Sequence, residues 1–232
     1  RIIVKDCLDK CSNKLQINDH KSVKDILIDA VHIRKFKTTD GQHFSLSVLP
    51  GEEDELKGFR DSTNFPDPLK RSFIKTIIKL LSDEYDYIFI DASPTADILT
   101  LGMLASCDTI LIPVDYDKKS LHHAEKVDQI IPKLRNSRVK KGELPVAPWN
   151  LGLVFSNCPA EKGSILQNHI NETIEKLNFT GKPYKTELKI YAQTKVAEFS
   201  QVPVICWHKS PITKLYKNLA QEVFLKHNFI DN

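Results

Sequence analysis

Glycine is scarce, with 8 among 232 residues, and none belongs to a G-x-x-x-x-G-K-[ST] run. These residues therefore contain no loop of the kind whose backbone N–H groups cradle nucleotide phosphates. Also missing is any apolar stretch near the ~20 residues needed for a membrane-crossing helix. The five cysteines, Cys7, Cys11, Cys107, Cys158 and Cys206, are scattered and form no Cys-x-x-Cys pair. They read as reduced thiols and argue against a secreted disulfide framework or a structural zinc. No secretory leader opens the chain, and the expected location is the cytoplasm. Charge is nearly balanced, 33 basic against 30 acidic side chains leaving +3. That neither demands nor excludes a polyanionic partner. No Pro/Gly/Ser-rich linker divides the chain, so residues 1–232 are expected to form a single domain.

What the chain does have is a run of apolar residues ending in a carboxylate. Residues 85–94, YDYIFIDASP, lack polar alternation, the pattern of a strand buried on both faces of a parallel sheet. That strand would deliver Asp91 to the carboxyl edge of the sheet, where a carboxylate can hold Mg²⁺ through a water or orient an attacking water. An Asp that caps the next helix would occupy the same position. Residues 107–120, CDTILIPVDYDKKS, repeat the pattern, with a strand over 109–112, then Pro113 and a polar loop into a helix. A third strand, 151–156, stops at Asn157.

Stripes of helical period lie between these strands. One comprises Phe73, Ile74, Ile77, Ile78 and Leu81, the next Leu121, Ala124, Ile131 and Leu134, the last Ile165, Leu166, Ile170, Ile174 and Leu177. Strands alternating with helices predict an α/β fold, a mostly parallel twisted sheet with helices on both faces. His169 falls on the last stripe and is expected at the interior or its boundary. His122 and His123 are adjacent and cannot hold one metal from a single helical face. Ser210-Pro211 predicts a final helix by the N-cap and Pro-N1 rule. Its core face would be Ile212, Leu215, Tyr216, Leu219 and Val223, leaving Lys214, Lys217 and Gln221 outward. A second basic cluster, Arg135–Lys141, reads as a solvated face or a polyanion contact.

The chain begins on RIIVK, which reads as a strand ending at Asp6. A phosphate-binding strand and loop are thus expected to precede Arg1. In this order the motifs resemble the ParA/MinD-type ATPases, the deviant-Walker group of P-loop NTPases that position plasmids, chromosomes and other cargo. Arg1–Asp6 is similar to the family's strand ending in the switch I aspartate, Ser22–Ala30 to the helix after it, and Leu46–Gly51 to the following strand. YDYIFIDASP resembles the Walker B strand and switch II, and DTILIPVDYDKKS the strand and loop near the nucleotide base. LVFSNCP resembles the strand ending in an adenine-contacting Asn, and Ala192–Val223 the family's C-terminal segment. The resemblance covers nearly the whole chain. Its switch I departs from the usual Asp-x-Asp-Pro-Gln, reading Asp6-Cys7-Leu8-Asp9-Lys10, which leaves Asp6 and Asp9 both as candidates.

This resemblance implies ATP and Mg²⁺ as cofactors, with Asp6 positioning the lytic water and Asp91 near Mg²⁺ through a water. It further implies that Pro94 stiffens switch II, that Pro113 lies by the base, and that Asn157 meets adenine through its paired amide donor and acceptor. A turn Asn before Cys158-Pro159 is the alternative for Asn157. The implied partners are a second copy in a homodimer, a ParB-like or other adaptor or activator protein, and non-specific DNA met by Lys214 and Lys217. Two other readings differ in class. A binding-only relative would hold nucleotide without turnover. A phospho-receiver module would phosphorylate Asp91, with Lys118 or Lys119 as its lysine, but such modules are much shorter.

Overall fold

The computed structural model describes residues 23–51, 57, 58, 61, 67–92, 97–142, 147–159, 161, 163–207 and 210–225. Asp6, Asp9 and Pro94, with the strand expected over residues 1–5, lie outside the described residues. The chain divides into two compact units, Arg1–Phe36 with Phe44–Cys107, and Lys37–His43 with Asp108–Asn232.

In the first unit, α1 (Val23–Ala30), α2 (Asp67–Leu81) and α3 (Ile98–Ser106) carry the core. The expected stripe of α2 is realised. Leu81 is buried with Leu27 of α1, while Phe73 packs on Leu99 of α3 beside Ile74, Ile77 and Ile98. Each such side chain, fully buried, contributes roughly 1.5–3 kcal/mol. Asp97 starts α3 by accepting the Thr100 N–H at 2.8 Å, the N-cap role of a short acidic side chain. A hairpin of β1 (His32–Lys37) and β2 (His43–Val48) spans the two units in sequence.

Residues 87–92 correct an expectation. They take part in no strand ladder among the described residues, and Tyr87 and Phe89 are 67% and 82% exposed, their rings stacked 6.4 Å apart. A strand buried on both faces needs paired neighbours, and no described strand lies against this one.

The second unit supplies that burial elsewhere. β3 (Thr109–Asp115) pairs in parallel with β4 (Trp149–Ser156), joined through α4 (Lys118–Lys140). In β4 the consecutive residues Gly152, Leu153, Val154 and Phe155 are all buried. β4 has neighbours on both edges, β3 on one and the irregular segment 182–190 on the other. Leu153 N–H donates to Lys182 O at 3.1 Å, Leu188 N–H to Phe155 O at 2.8 Å and Cys158 N–H to Leu188 O at 3.0 Å. β3 runs three residues past the expected 112 and takes in Pro113, which a strand with a single described neighbour tolerates. By strand alternation Ile110, Ile112 and Val114 bury one face. Leu111, on the other, joins Val154, Leu188, Leu219 and Val223 in a second cluster.

α5 (Ser164–Lys176), α6 (Ala192–Phe199) and α7 (Pro211–Ala220) complete this unit, with one π turn, Gln221–Leu225, continuing α7. Ile170 is buried in α5, but Ile165 and Leu166 are exposed, and His169 is 70% exposed rather than at the interior. In α7 Ile212 and Leu219 are buried as expected, whereas Tyr216 is exposed, one position off the apolar stripe.

Sequence periodicity did not reveal the junction of α4, β4 and the loop before residue 182. Asp128 lies on the buried stripe of α4 between Ala124 and Ile131 and is fully buried. Its carboxylate accepts the Asn150 side-chain amide, the Thr180 N–H at 2.8 Å, the Thr180 hydroxyl at 2.9 Å and the Gly181 N–H at 3.1 Å. Gly152 beside it has φ +113, and a Cβ there would meet Lys182 O at 2.3 Å. The ladder slips by one residue here, between Ile110 and Leu111. Only glycine fits such an approach.

Candidate functional site

The carboxyl ends of β3 and β4 lie side by side, Asp115 level with Ser156 in the parallel register. Ligands of open α/β sheets bind along this edge. The apolar residues of the two strands fix the position, since Val114 and Phe155 are buried immediately before the polar residues begin.

Leaving β3, the chain tightens at once, with the Asp117 N–H donating to Asp115 O at 2.7 Å. Tyr116 turns inward, donating its hydroxyl to Gln167 Oε1 at 2.7 Å, its ring set edge-on to Phe155. Asp117 then caps α4, accepting the Ser120 N–H and hydroxyl, each at 2.9 Å. The Ser120 N–H above all holds the Asp117 carboxyl below the usual carboxylate range, opposed by partial desolvation.

Leaving β4, Asn157 adopts φ +51, left-handed backbone that Asn tolerates better than most side chains. Its Nδ2 donates to Asp115 Oδ1 at 2.8 Å, and the Ser156 hydroxyl donates to the same oxygen at 3.1 Å. Among the described residues no hydrogen bond engages the Asn157 Oδ1, and Nδ2 keeps a second proton. The exposed amide thus presents an acceptor and a donor side by side, held in orientation by a carboxylate behind it.

Pro113 lies two residues before Asp115 on β3, its ring exposed. In the register Pro113 is level with Val154, three residues short of Asn157, so of the two only Asn157 reaches the carboxyl edge itself. Asp91 is exposed in the first unit. Lys214 and Lys217 lie on the exposed side of α7, and Lys217 Nζ is 3.9 Å from Asp40 Oδ2. Asp115 and Asp117 were not singled out from the sequence. The signal was present in the DYDKKS run, where one acid ends a strand and the next precedes an apolar helical stripe. Among the described residues no three His, Cys, Asp or Glu side chains gather as a metal cage. No helix among them is long and apolar enough to cross a membrane.

Residues 7–144 match the family described as AAA domain, more than half of the chain. The sporulation initiation inhibitor protein Soj of Bacillus subtilis is 26% identical over 211 residues, covering 87% of this chain and 75% of that protein. Among solved structures, the cell division ATPase MinD of Pyrococcus furiosus superposes with a TM-score of 0.55 at 18% identity, over 90% of this chain and 78% of that one. Apo McdA of Cyanothece gives 0.54 at 15% identity, over 84% and 69%. At such identities the structural likeness carries the fold alone, an α/β architecture. The family match over more than half of the chain, with the Soj relationship, shows that the chain belongs to the ParA/MinD-type family of partition ATPases.

Proposed function

We propose that this protein is an ATP-dependent dimerising switch that positions a plasmid, chromosome or other cargo on DNA, and that residues 1–232 form one ParA-like nucleotide-binding domain. Besides family membership, the observation that carries this reading is Asn157. An amide fixed by Asp115 at the carboxyl edge of a parallel sheet, with donor and acceptor both outward, complements the N6 and N1 edge of adenine. Pro113, on the strand beside it, would flank the base.

In this reading the protein contributes position and charge, because phosphoryl transfer needs little covalent help. Asp6 orients the lytic water, and Pro94 stiffens the turn that senses the γ-phosphate. Mg²⁺ commonly takes one or two carboxylates with phosphate oxygens and waters. One exposed carboxylate, Asp91, suits such a metal arriving with its nucleotide. Asp91 would hold the metal there, and Mg²⁺ would supply neutralisation of the phosphate charge. Lys214 and Lys217 on α7 meet the DNA backbone, and a ParB-like adaptor sets the timing of hydrolysis.

The test uses the full-length gene product, comparing wild type with Asp91→Ala and Asn157→Ala. Asp91→Ala should lower ATP turnover by on the order of 10²-fold or more with unchanged circular dichroism, because a group acting on the transition state is lost. Asn157→Ala should weaken ATP binding by about tenfold while leaving discrimination among purines poorer. Unchanged turnover in Asp91→Ala would reduce that carboxylate to a helix cap. Unchanged affinity in Asn157→Ala would make Asn157 a turn residue.

A further inference from the structure

The turn between β1 and β2 holds its flanking side chains in place. Thr38 N–H donates to Gln42 O at 2.8 Å, Gly41 N–H to Thr38 O at 3.0 Å, and Gln42 N–H to the Thr38 hydroxyl at 3.0 Å. Gly41 sits at φ +87, where the turn needs a residue without Cβ. The Thr38 hydroxyl donates to Asp40 Oδ1. That bond foremost, with a smaller contribution from Lys217, keeps the Asp40 carboxyl ionised below the usual range.

Asp40 is the point at which this turn meets α7, through its ion pair with Lys217 within the second unit. Lys37 is also at the turn, three residues from Asp40, and is exposed, as is Lys214 one helical turn from Lys217. Among the described residues no acidic side chain pairs with Lys37 or Lys214. The Lys217–Asp40 pair thus joins the turn to α7, with exposed Lys37 beginning the turn and exposed Lys214 one helical turn before Lys217. Lysines are compact point charges on flexible stems, suited to phosphates and carrying no base-reading geometry.

We infer that the hairpin turn and α7 form one DNA-backbone surface, in which Lys37 acts beside Lys214 and Lys217 while Asp40 masks Lys217. The inference rests on the DNA reading above. Duplex DNA displaces Asp40 from Lys217, because many phosphates compete with one solvent-exposed carboxylate, and exposed ion pairs of this kind are weak. The hairpin then restrains the surface when DNA is absent and enlarges it when DNA is bound.

The experiment measures anisotropy of a labelled random-sequence duplex, with ATP, between ~50 and ~200 mM salt. It compares wild type, Lys37→Glu, Asp40→Asn and Lys214→Glu/Lys217→Glu. Each phosphate contact contributes about 0.9 to the slope of log affinity against log salt, or roughly eightfold in affinity near 0.1 M. Lys37→Glu should weaken binding about tenfold and flatten the slope by about 0.9. Asp40→Asn keeps an acceptor for Thr38 while removing the mask, and should tighten binding about two- to fivefold, the cost of breaking a weak exposed ion pair, with little change in slope. If Lys214→Glu/Lys217→Glu abolishes binding while Lys37→Glu and Asp40→Asn match wild type, the hairpin inference falls and the DNA reading stands. If the double reversal changes nothing, or wild type does not bind, both fall. Equal binding to polyglutamate with the same dependence on Lys37 would replace DNA by an acidic protein and overturn the inference.

Discussion

Replacing Asp128 should destabilise the second unit more than any single change to an exposed charge. The carboxylate accepts four donors, of which the Gly181 N–H is itself in a buried residue. Asp128→Ala strands that donor at about 1–3 kcal/mol and loses charge-assisted bonds to Asn150 and Thr180, each about 1.5–3 kcal/mol before relaxation. The bonds share one acceptor group and do not add, so the net expectation is the ~3–5 kcal/mol typical of breaking a buried polar network. For a chain of this size that corresponds to a fall in Tm of roughly 10 °C. Asp128→Asn preserves shape but turns an N–H toward one of the donors, and should cost about 1–2 kcal/mol. Urea unfolding followed by far-ultraviolet circular dichroism measures both, and a double-mutant cycle with Asn150→Ala should return a coupling of ~1 kcal/mol or more. A loss below ~1 kcal/mol for Asp128→Ala, or no coupling to Asn150, would refute the assignment of this carboxylate as the junction of α4, β4 and the 180–181 loop.

Gly152→Ala forces a Cβ to 2.3 Å from Lys182 O at a positive φ, and should destabilise by ~3 kcal/mol or more in the same urea assay. Asp117→Ala removes the cap of α4, at ~1 kcal/mol near neutral pH. Because the folded Asp117 carboxyl is shifted below its unfolded value of 3.8, its contribution is present above that pH and lost as pH falls through the folded value. Wild type and Asp117→Ala should therefore converge in stability in strong acid, and a difference that persists there would refute the cap.

Much of the fold was legible because apolar side chains carry their period openly. Phe73, Leu81, Leu121 and Ile131 are buried where their helical spacing puts them. The strand ending at Asn157 is where it was expected. The run at 85–92 departs from its expectation because an apolar sequence states what a strand needs, not what pairs with it, and no described strand does. β1 was missed because His32–Lys37 is mostly polar and exposed, so no burial pattern marks it. Asp128 was invisible for a different reason. A carboxylate inside an apolar stripe becomes intelligible only once Asn150, Thr180 and Gly181, distant in sequence, converge on it. At the site, Asn157 could be located from its strand, but its orientation depends on Asp115, whose place across the sheet is set by register.

The irregular segment beside β4 also governs what can join the sheet from that side. Residues 182–190 meet the strand in isolated bridges, at Pro183 and Lys189, rather than along a continuous ladder. Pro183 has no N–H to offer. Such a margin is a poor template for an incoming strand, and it shields the most deeply buried strand of the second unit from edge-to-edge aggregation. Any chain that docked on this side would have to do so through side chains rather than by extending the sheet, and could leave again without unravelling β4.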